Sequence, residues 1–177
     1  MKGGAQLERS ELISSWVHDY ADRLAFIAYT HVHNQKTAED LVQETFIRAF
    51  RSIDQLRDVD NPLPWLIRIV INLCHTTKRR GWKEVVVSET PSRSVTTGPE
   101  DLYIQRTRDR ELHQAVMSLP QMYRTPIVLF YFEELSINEI AEALNIHSGT
   151  ARTRLSRARK QLETILERSS HHAENFG

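Results

Sequence analysis

The stretch from Ser136 to Leu162, SINEIAEALNIHSGTARTRLSRARKQL, decides the fold of the C-terminal half of this chain. Ser136 followed three positions later by Glu139 is the pattern of a capping box, which marks the start of a helix. Asn145 ends the apolar periodicity that follows, and asparagine tolerates the positive φ that a tight turn between two helices requires. The stretch therefore predicts a helix-turn-helix.

The second helix of this motif has two chemically different faces. Ala151, Leu155 and Ala158 recur on one side and predict the buried face. The other side carries hydroxyls and cations that can bond phosphates and base edges, and no acid stands between Ser148 and Lys160. We therefore expect it to dock on duplex DNA. The candidate contacts are Ser148, Thr150, Arg152, Thr153, Ser156, Arg157 and Lys160.

Five cations lie on this helix: Arg152, Arg154, Arg157, Arg159 and Lys160. If each met a phosphate, the logarithm of the binding constant would fall against the logarithm of salt concentration with a slope of about −4.5. This slope is modest for a protein that holds duplex alone, so we expect help from elsewhere. A basic helix end that only complements the helix dipole is the alternative, and the adjacent turn pattern argues against it.

The architecture of the whole chain follows from its periodicity. Its 177 residues carry 23 basic and 23 acidic side chains, so any nucleic-acid affinity must come from local clusters. Apolar residues recur at spacings of three and four without sustained alternation, which predicts an all-α fold. The segment SETPSRSVTTGP at residues 88 to 99 is typical of a flexible linker. We predict two small helical domains, residues 9 to 82 and 106 to 168, joined by a linker at residues 83 to 105.

The first predicted helix of interest, TAEDLVQETFIRAFR, runs from Thr37 to Arg51, with Thr37 as its predicted N-cap and Asp40 at the capping-box position. Its inner face is apolar. Its outer stripe sets an isoleucine among acids, an amide and an arginine, which suits a protein partner. A solvated acidic face is the alternative explanation. The residues of this stripe are Asp40, Gln43, Glu44, Ile47 and Arg51.

The second predicted helix begins near Pro64, a residue favoured in the first turn, and ends in a run of cations. Exposed aromatic rings can stack bases, cations follow phosphates and an amide can read a base edge, so this segment suits single-stranded nucleic acid. Burial of Trp65 is the alternative. The candidate residues are Trp65, Arg68, Asn72, Lys78, Arg79 and Arg80. In the C-terminal domain, Ile127, Val128, Phe130 and Tyr131 are predicted to pack in the core.

An enzyme is the main alternative class. His31, His33 and His75 with Asp19 or Asp22 supply the side chains of a divalent metal site. Histidines two positions apart point to different helix faces, and no HExxH motif, nucleophile elbow or phosphate loop is present. We therefore expect no catalytic residues, no metal and no cofactor.

The compartment is predicted from the cysteine content and the hydropathy. Cys74 is the one cysteine, which excludes an intramolecular disulfide and a CxxC zinc site. The first ten residues are polar, and no stretch approaches the roughly 18 apolar residues of a spanning helix. We expect a cytoplasmic protein without membrane insertion.

Four motifs in order carry a resemblance to a known family. They are AEDLVQETFIRAF, PWLIRIVINLCHTTKRR, LPQMYRTPIVLFYFEELSINEIAEAL and GTARTRLSRARKQL. Together they resemble the extracytoplasmic-function (ECF) sigma factors of the sigma-70 family, over residues 10 to 166. The resemblance implies a factor that directs core RNA polymerase to specific promoters and aids their opening. It assigns sigma region 2 to residues 9 to 82 and region 4 to residues 106 to 168.

The resemblance also implies partners. The helix like 37 to 51 binds the clamp helices of the polymerase β′ subunit, which assigns Asp40, Gln43 and Glu44. The segment like 65 to 80 recognises and opens the −10 element, and the helix-turn-helix reads the −35 element as duplex. Contacts to the β subunit, promoter DNA and an anti-sigma factor complete the expected set.

This chain departs from the usual family pattern at three places. Residues 74 to 77 replace a common Ile-Asp pair, Ala151 replaces a usual valine, and Asn145 replaces a common glycine. Promoter preference is expected to differ accordingly. A conventional helix-turn-helix regulator acting from an operator is the alternative function, and it would need a ligand pocket or a dimerising helix in the N-terminal domain.

Overall fold

The computed structural model describes residues 2 to 84 and 110 to 174, with side chains described except at 2 to 5, 78, 80 to 84, 110 and 169 to 174. Every regular element in these ranges is helical, which confirms the predicted all-α class. The chain divides into two compact units, Met1–Pro99 and Glu100–Gly177. Most of the predicted linker, residues 85 to 105, lies outside the described residues.

Within residues 2 to 84, the N-terminal unit contains three α-helices that pack on one another. A single 3₁₀ turn, Ile53–Gln55, follows the second helix. The largest fully buried side chains of this unit come from α1 and α3, and they include Leu24, Ile27, Leu66, Ile67 and Val70. The helices are α1 (Lys2–Val32), α2 (Gln35–Ser52) and α3 (Leu63–Glu84).

The start of α2 corrects the sequence prediction. Asn34, not Thr37, is the N-cap: its backbone is extended, and its side-chain oxygen accepts a hydrogen bond of 2.8 Å from the backbone N–H of Thr37. His33 ends α1 in the left-handed region at φ 55°, so the chain has already turned when it reaches Asn34. Thr37 is therefore inside the first turn, and Asp40 is not at a capping-box position.

Long-range contacts fix α1 against the rest of the unit. Trp16 on α1 meets Trp65 on α3 edge to face, with ring centroids 6.4 Å apart and planes at 74°. Such an arrangement matches the opposite charges of an aromatic edge and face. Closer to the N-terminal end of α1, Arg9 donates to the carboxylate of Asp54 in the 3₁₀ turn.

Within residues 110 to 174, the C-terminal unit contains four helices, and the last of them packs against the other three. Ile127 and Val128 are buried, as predicted. Tyr131 corrects the prediction of a core residue, because 54% of it is exposed at the end of its helix. The helices are α4 (Arg110–Ser118), α5 (Gln121–Tyr131), α6 (Ile137–Leu144) and α7 (Ser148–Glu174).

Helical structure extends beyond the predicted domain bounds at both ends, since α1 begins at Lys2 and α7 ends at Glu174. Among the helices that the structure describes, none combines the length and the apolar character needed to cross a bilayer.

Candidate nucleic-acid interface

The helix-turn-helix is held at its start by the predicted capping box. The hydroxyl of Ser136 accepts a hydrogen bond of 3.3 Å from the backbone N–H of Glu139. The Glu139 carboxylate in turn accepts one of 2.8 Å from the backbone N–H of Ser136. Two backbone donors that would otherwise lack helical partners are satisfied, so the first turn of α6 is fixed from its own sequence.

The turn between α6 and α7 follows the predicted chemistry. Asn145 takes the left-handed conformation, with φ and ψ both 51°. Its backbone N–H donates to the carbonyl of Glu142 at 3.1 Å, and that of Ile146 donates to the carbonyl of Ala141 at 2.9 Å. This pair of bonds is a Schellman motif, which closes a helix and redirects the chain. The turn sets the direction in which α7 leaves α6.

The two faces of α7 are confirmed as predicted. Ala151, Leu155 and Ala158 are all buried, with Ala158 fully enclosed. The small alanines allow α7 to approach its neighbours closely. Each residue predicted to contact DNA on the opposite side is exposed, and we call this set the α7 face. It consists of Ser148, Thr150, Arg152, Thr153, Ser156, Arg157 and Lys160.

The five cations of α7 do not have equal surroundings. Arg152, Arg157 and Lys160 are exposed, whereas Arg154 is half-buried. The Arg159 side chain contacts α5: its Nε donates to the Tyr131 hydroxyl at 2.8 Å. A count of charges along the sequence therefore overestimates the cations that extend freely from the helix.

Arg124 supports the unit from within rather than contributing to the α7 face. Its Nε and one Nη donate to the carbonyl of Leu119 at 3.2 and 2.9 Å, where α4 has just ended. Partial burial lowers the pKa of the Arg124 guanidinium from its usual value, although arginine stays charged at physiological pH. This charge-assisted contact joins α4 to α5.

In the N-terminal unit, exposed polar side chains of α3 line an open depression of about 640 Å³. They are Asn72, His75, Thr76 and Arg79, and we call them the α3 face. Asn72 and Arg79 are predicted nucleic-acid contacts. His75 and Thr76 were not among the predicted contacts, although their positions three and four residues after Asn72 place them on the same side of a helix. That spacing is the signal that identifies them.

The other predicted residues of α3 lie elsewhere. Trp65 is half-buried against Trp16, and Arg68 is also half-buried; neither is among the described residues that line the depression. Lys78 and Arg80 belong to α3, but their side chains lie outside the described part of the chain. Of the four predicted residues whose side chains the structure describes, Asn72 and Arg79 lie together on the depression.

The residues of the predicted outer stripe lie along one side of α2, and we call them the α2 stripe: Asp40, Gln43, Glu44, Ile47 and Arg51. Four of its members are exposed, and Ile47 retains 46% of its surface in contact with solvent. Glu44 is half-buried and pairs with Arg48 at 2.7 Å, one turn further along α2. The opposite face buries Leu41, Val42, Phe46 and Ala49, as predicted.

The histidines considered for a metal site do not form one in the described part of the chain. His31 is buried, and its ring centroid lies 5.9 Å from that of His75. His33 is exposed where α1 ends. No group of three or more histidine, cysteine or acidic side chains able to hold a metal ion is found among the described residues.

Comparison with protein families assigns both units. Residues 16 to 84 match Sigma-70 region 2, and residues 109 to 162 match Sigma-70, region 4. The chain is 31% identical over 155 residues to the RNA polymerase sigma factor SigV of Bacillus subtilis (strain 168), covering 88% of this chain and 91% of SigV. It is 37% identical over 159 residues to the ECF RNA polymerase sigma factor SigW of the same organism, covering 83% and 84% of the two chains.

Solved structures show the same fold. The sigma factor RpoE from Bartonella quintana, crystallised in complex with the anti-sigma factor NepR, gives a TM-score of 0.67 at 24% identity, over 87% of this chain and 96% of RpoE. CnrH, in complex with the cytosolic domain of CnrY, gives 0.62 at 22% identity, over 92% and 96%.

A conventional helix-turn-helix regulator is not favoured, because the N-terminal unit matches region 2 of a sigma factor rather than a ligand-binding or dimerising domain. Both regions occur in one chain, and SigV and SigW are similar along most of their own length. The chain therefore belongs to the extracytoplasmic-function sigma factors of the sigma-70 family, which direct core RNA polymerase to promoters.

Proposed function

We propose that this sigma factor uses three surfaces: the α2 stripe for core polymerase, the α3 face for the −10 element and the α7 face for the −35 element. The observation that carries the proposal is the division of α7 into an enclosed apolar side and an exposed side of hydroxyls and cations. Such a helix, presented by a capped helix-turn-helix, is suited to the major groove.

The α7 face has the groups needed to read a duplex. Arg152 and Arg157 can each make paired hydrogen bonds to a guanine edge or a phosphate, and the exposed hydroxyls can bond either. The three exposed cations of the α7 face, Arg152, Arg157 and Lys160, give an expected salt slope of about −2.7 rather than −4.5. Duplex binding by α7 alone is therefore weak, so stable promoter binding depends on the other surfaces and on polymerase.

The α3 face suits unpaired bases. The Asn72 amide and the His75 imidazole can bond base edges, while Arg79 can pair with a phosphate. Taking a base out of the stack costs a few kcal/mol, which contacts in such a depression can offset. Lys78 and Arg80 on the same helix extend the basic end of α3, and Trp65 with Arg68 support the helix at its start.

The α2 stripe supplies the polymerase contact. Its exposed Ile47 offers apolar contact area, and the charged and amide groups around it, led by Asp40 and Gln43, offer a polar rim. This is the arrangement of a protein interface, with an apolar centre and polar surroundings. We assign the β′ subunit as the partner of the stripe, and we assign further contacts to the β subunit.

Three broader features accompany the proposal. The chemistry of RNA synthesis belongs to the polymerase, so the sigma factor itself is not an enzyme. It works in the cytoplasm, where polymerase and promoter are found. We infer an anti-sigma partner by analogy with RpoE, which was crystallised in complex with the anti-sigma factor NepR, and a pull-down from native cells should recover this partner together with polymerase.

Run-off transcription with core polymerase and a genomic fragment library tests the proposed function. Addition of the protein should produce new transcripts. Joint substitution Arg152→Ala and Arg157→Ala should lower transcription from −35-dependent promoters by about ten-fold or more, because each guanidinium contributes about 1 to 3 kcal/mol of base discrimination. Arg168→Ala is the matched control, since Arg168 is an exposed arginine on α7 outside the α7 face. If no transcript depends on the protein, the proposal fails.

A further inference from the structure

An aromatic pair at the end of α5 holds one arginine of α7. The guanidinium carbon of Arg159 lies 5.2 Å from the ring centroid of Phe130 and 5.5 Å from that of Tyr131. The two rings lie edge to face, with centroids 5.0 Å apart. Nε of Arg159 also donates to the Tyr131 hydroxyl at 2.8 Å. A single side chain therefore makes one hydrogen bond and two cation–π contacts.

These contacts explain the exposure of Tyr131. A tyrosine that packs only through its ring would gain from complete burial, yet Tyr131 remains 54% exposed. Its hydroxyl is instead used at the surface, where it accepts the hydrogen bond from Arg159. Because a guanidinium is planar and stacks on aromatic faces, the contact restricts both its position and its orientation.

The position of Arg159 along α7 gives the contact a consequence for the α7 face. Arg159 follows Arg152 by seven residues, so the two lie on the same side of the helix, two turns apart. Holding Arg159 against α5 therefore restricts rotation of α7 about its own axis. The same restriction sets the direction in which Arg152 and Ser156 leave the helix.

We propose that Arg159 is a positioning residue for the −35 reader, held by Tyr131 and Phe130, and that it is not a phosphate contact. This inference rests on the proposed role of the α7 face. Substitution of Arg159 reduces the preference for the correct duplex sequence, because the side chains of the α7 face lose their common orientation. It leaves the number of neutralised phosphates unchanged.

The test compares holoenzymes on a promoter fragment with an intact −35 element and on one with a scrambled −35 element, across a range of salt concentrations. Tyr131→Phe, which keeps the ring, and Arg159→Met should each lower the ratio of the two binding constants about five-fold. The salt slope should stay unchanged, whereas loss of a phosphate contact would reduce its magnitude by about 0.9. In the Arg159→Met background, Tyr131→Phe should have no additional effect.

Controls separate positioning from folding and from failure of the proposed function. Arg168→Met matches the loss of charge on the same helix and should leave the ratio unchanged. Tyr131→Phe and Arg159→Lys are conservative, so they report on orientation even if Arg159→Met unfolds the unit. A reduced slope for Arg159→Met with a neutral Tyr131→Phe would overturn the inference, as would wild-type ratios for all variants. If Arg152→Ala also leaves the ratio unchanged, the proposed function of the α7 face itself fails.

Discussion

Asn145 shows how one residue determines the geometry of the helix-turn-helix formed by α6 and α7. Its left-handed backbone costs most L-residues about 1 to 2 kcal/mol, and asparagine tolerates it better because its short polar side chain can bond locally. Glycine has no such cost. The same turn is therefore open to either residue.

Alanine and glycine at position 145 should affect the stability of the C-terminal unit differently. Asn145→Ala should lower the free energy of unfolding by about 1 kcal/mol, because alanine at positive φ is strained, and Asn145→Gly should be neutral or stabilising. Guanidinium denaturation followed by far-UV circular dichroism measures the change.

The tryptophans provide an internal control for that measurement. Trp16, Trp65 and Trp82 all belong to the N-terminal unit, so their fluorescence transition should not move. A stability loss for Asn145→Gly as large as that for Asn145→Ala would contradict the assigned role of the turn.

At the scale of elements, local chemistry made the helix-turn-helix predictable. The capping box of α6, the turn at Asn145 and the buried side of α7 each depend on residues within a few positions of one another, so the sequence displays them directly. Two of the four residues of the α3 face, Asn72 and Arg79, were among the predicted contacts. The helical spacing from Asn72 to His75 is also visible in the sequence once a helix is assumed.

Contacts between distant residues were not predictable in this way. Arg159 and Tyr131 are 28 positions apart, and Arg9 and Asp54 are 45 apart. No periodicity within one helix indicates which side chains of another helix it meets. The prediction of where α2 starts was wrong for a related reason. Asn34 and Thr37 are both residues favoured at an N-cap, and the point at which α1 ends decides between them.

The α2 stripe leads to a prediction about polymerase binding. Ile47→Glu should weaken the affinity for core polymerase at least about ten-fold, because it places a charge at the apolar centre of the proposed interface. Fluorescence anisotropy of labelled protein titrated with core enzyme measures the affinity.

Val17→Glu is the matched control for this experiment, since Val17 is a similarly exposed apolar residue on α1. It should leave the affinity for core polymerase unchanged. Equal loss for both variants would indicate a general destabilisation of the unit, and no loss for Ile47→Glu would remove the stripe from the interface.

At the scale of the whole molecule, the balanced charge of the chain and the small number of exposed cations on the α7 face, three, both favour weak DNA binding by the free protein. The free protein should bind −35 duplex weakly, with a salt slope of about −2.7, and the holoenzyme should bind the promoter more tightly and with a steeper slope. Anisotropy of a labelled fragment against salt concentration tests both.

The same experiment separates a sigma factor from an operator-binding regulator. A free protein that binds duplex tightly, with a slope near −4.5 or steeper, would behave as an independent regulator. Elution of the free protein as a dimer on gel filtration would support the hypothesis of an operator-binding regulator, because such regulators generally bind paired half-sites.

The enclosure of Cys74 within α3 has a practical consequence for following this molecule in action. It is the one cysteine of the chain and is fully buried, so alkylating dyes should leave it unmodified while the protein is folded. A cysteine introduced at the exposed Glu163 of α7 would then be the single reactive thiol. Fluorescent labelling at that position, paired with a dye on the promoter, should report the arrival of α7 at the −35 element without removal of any native residue.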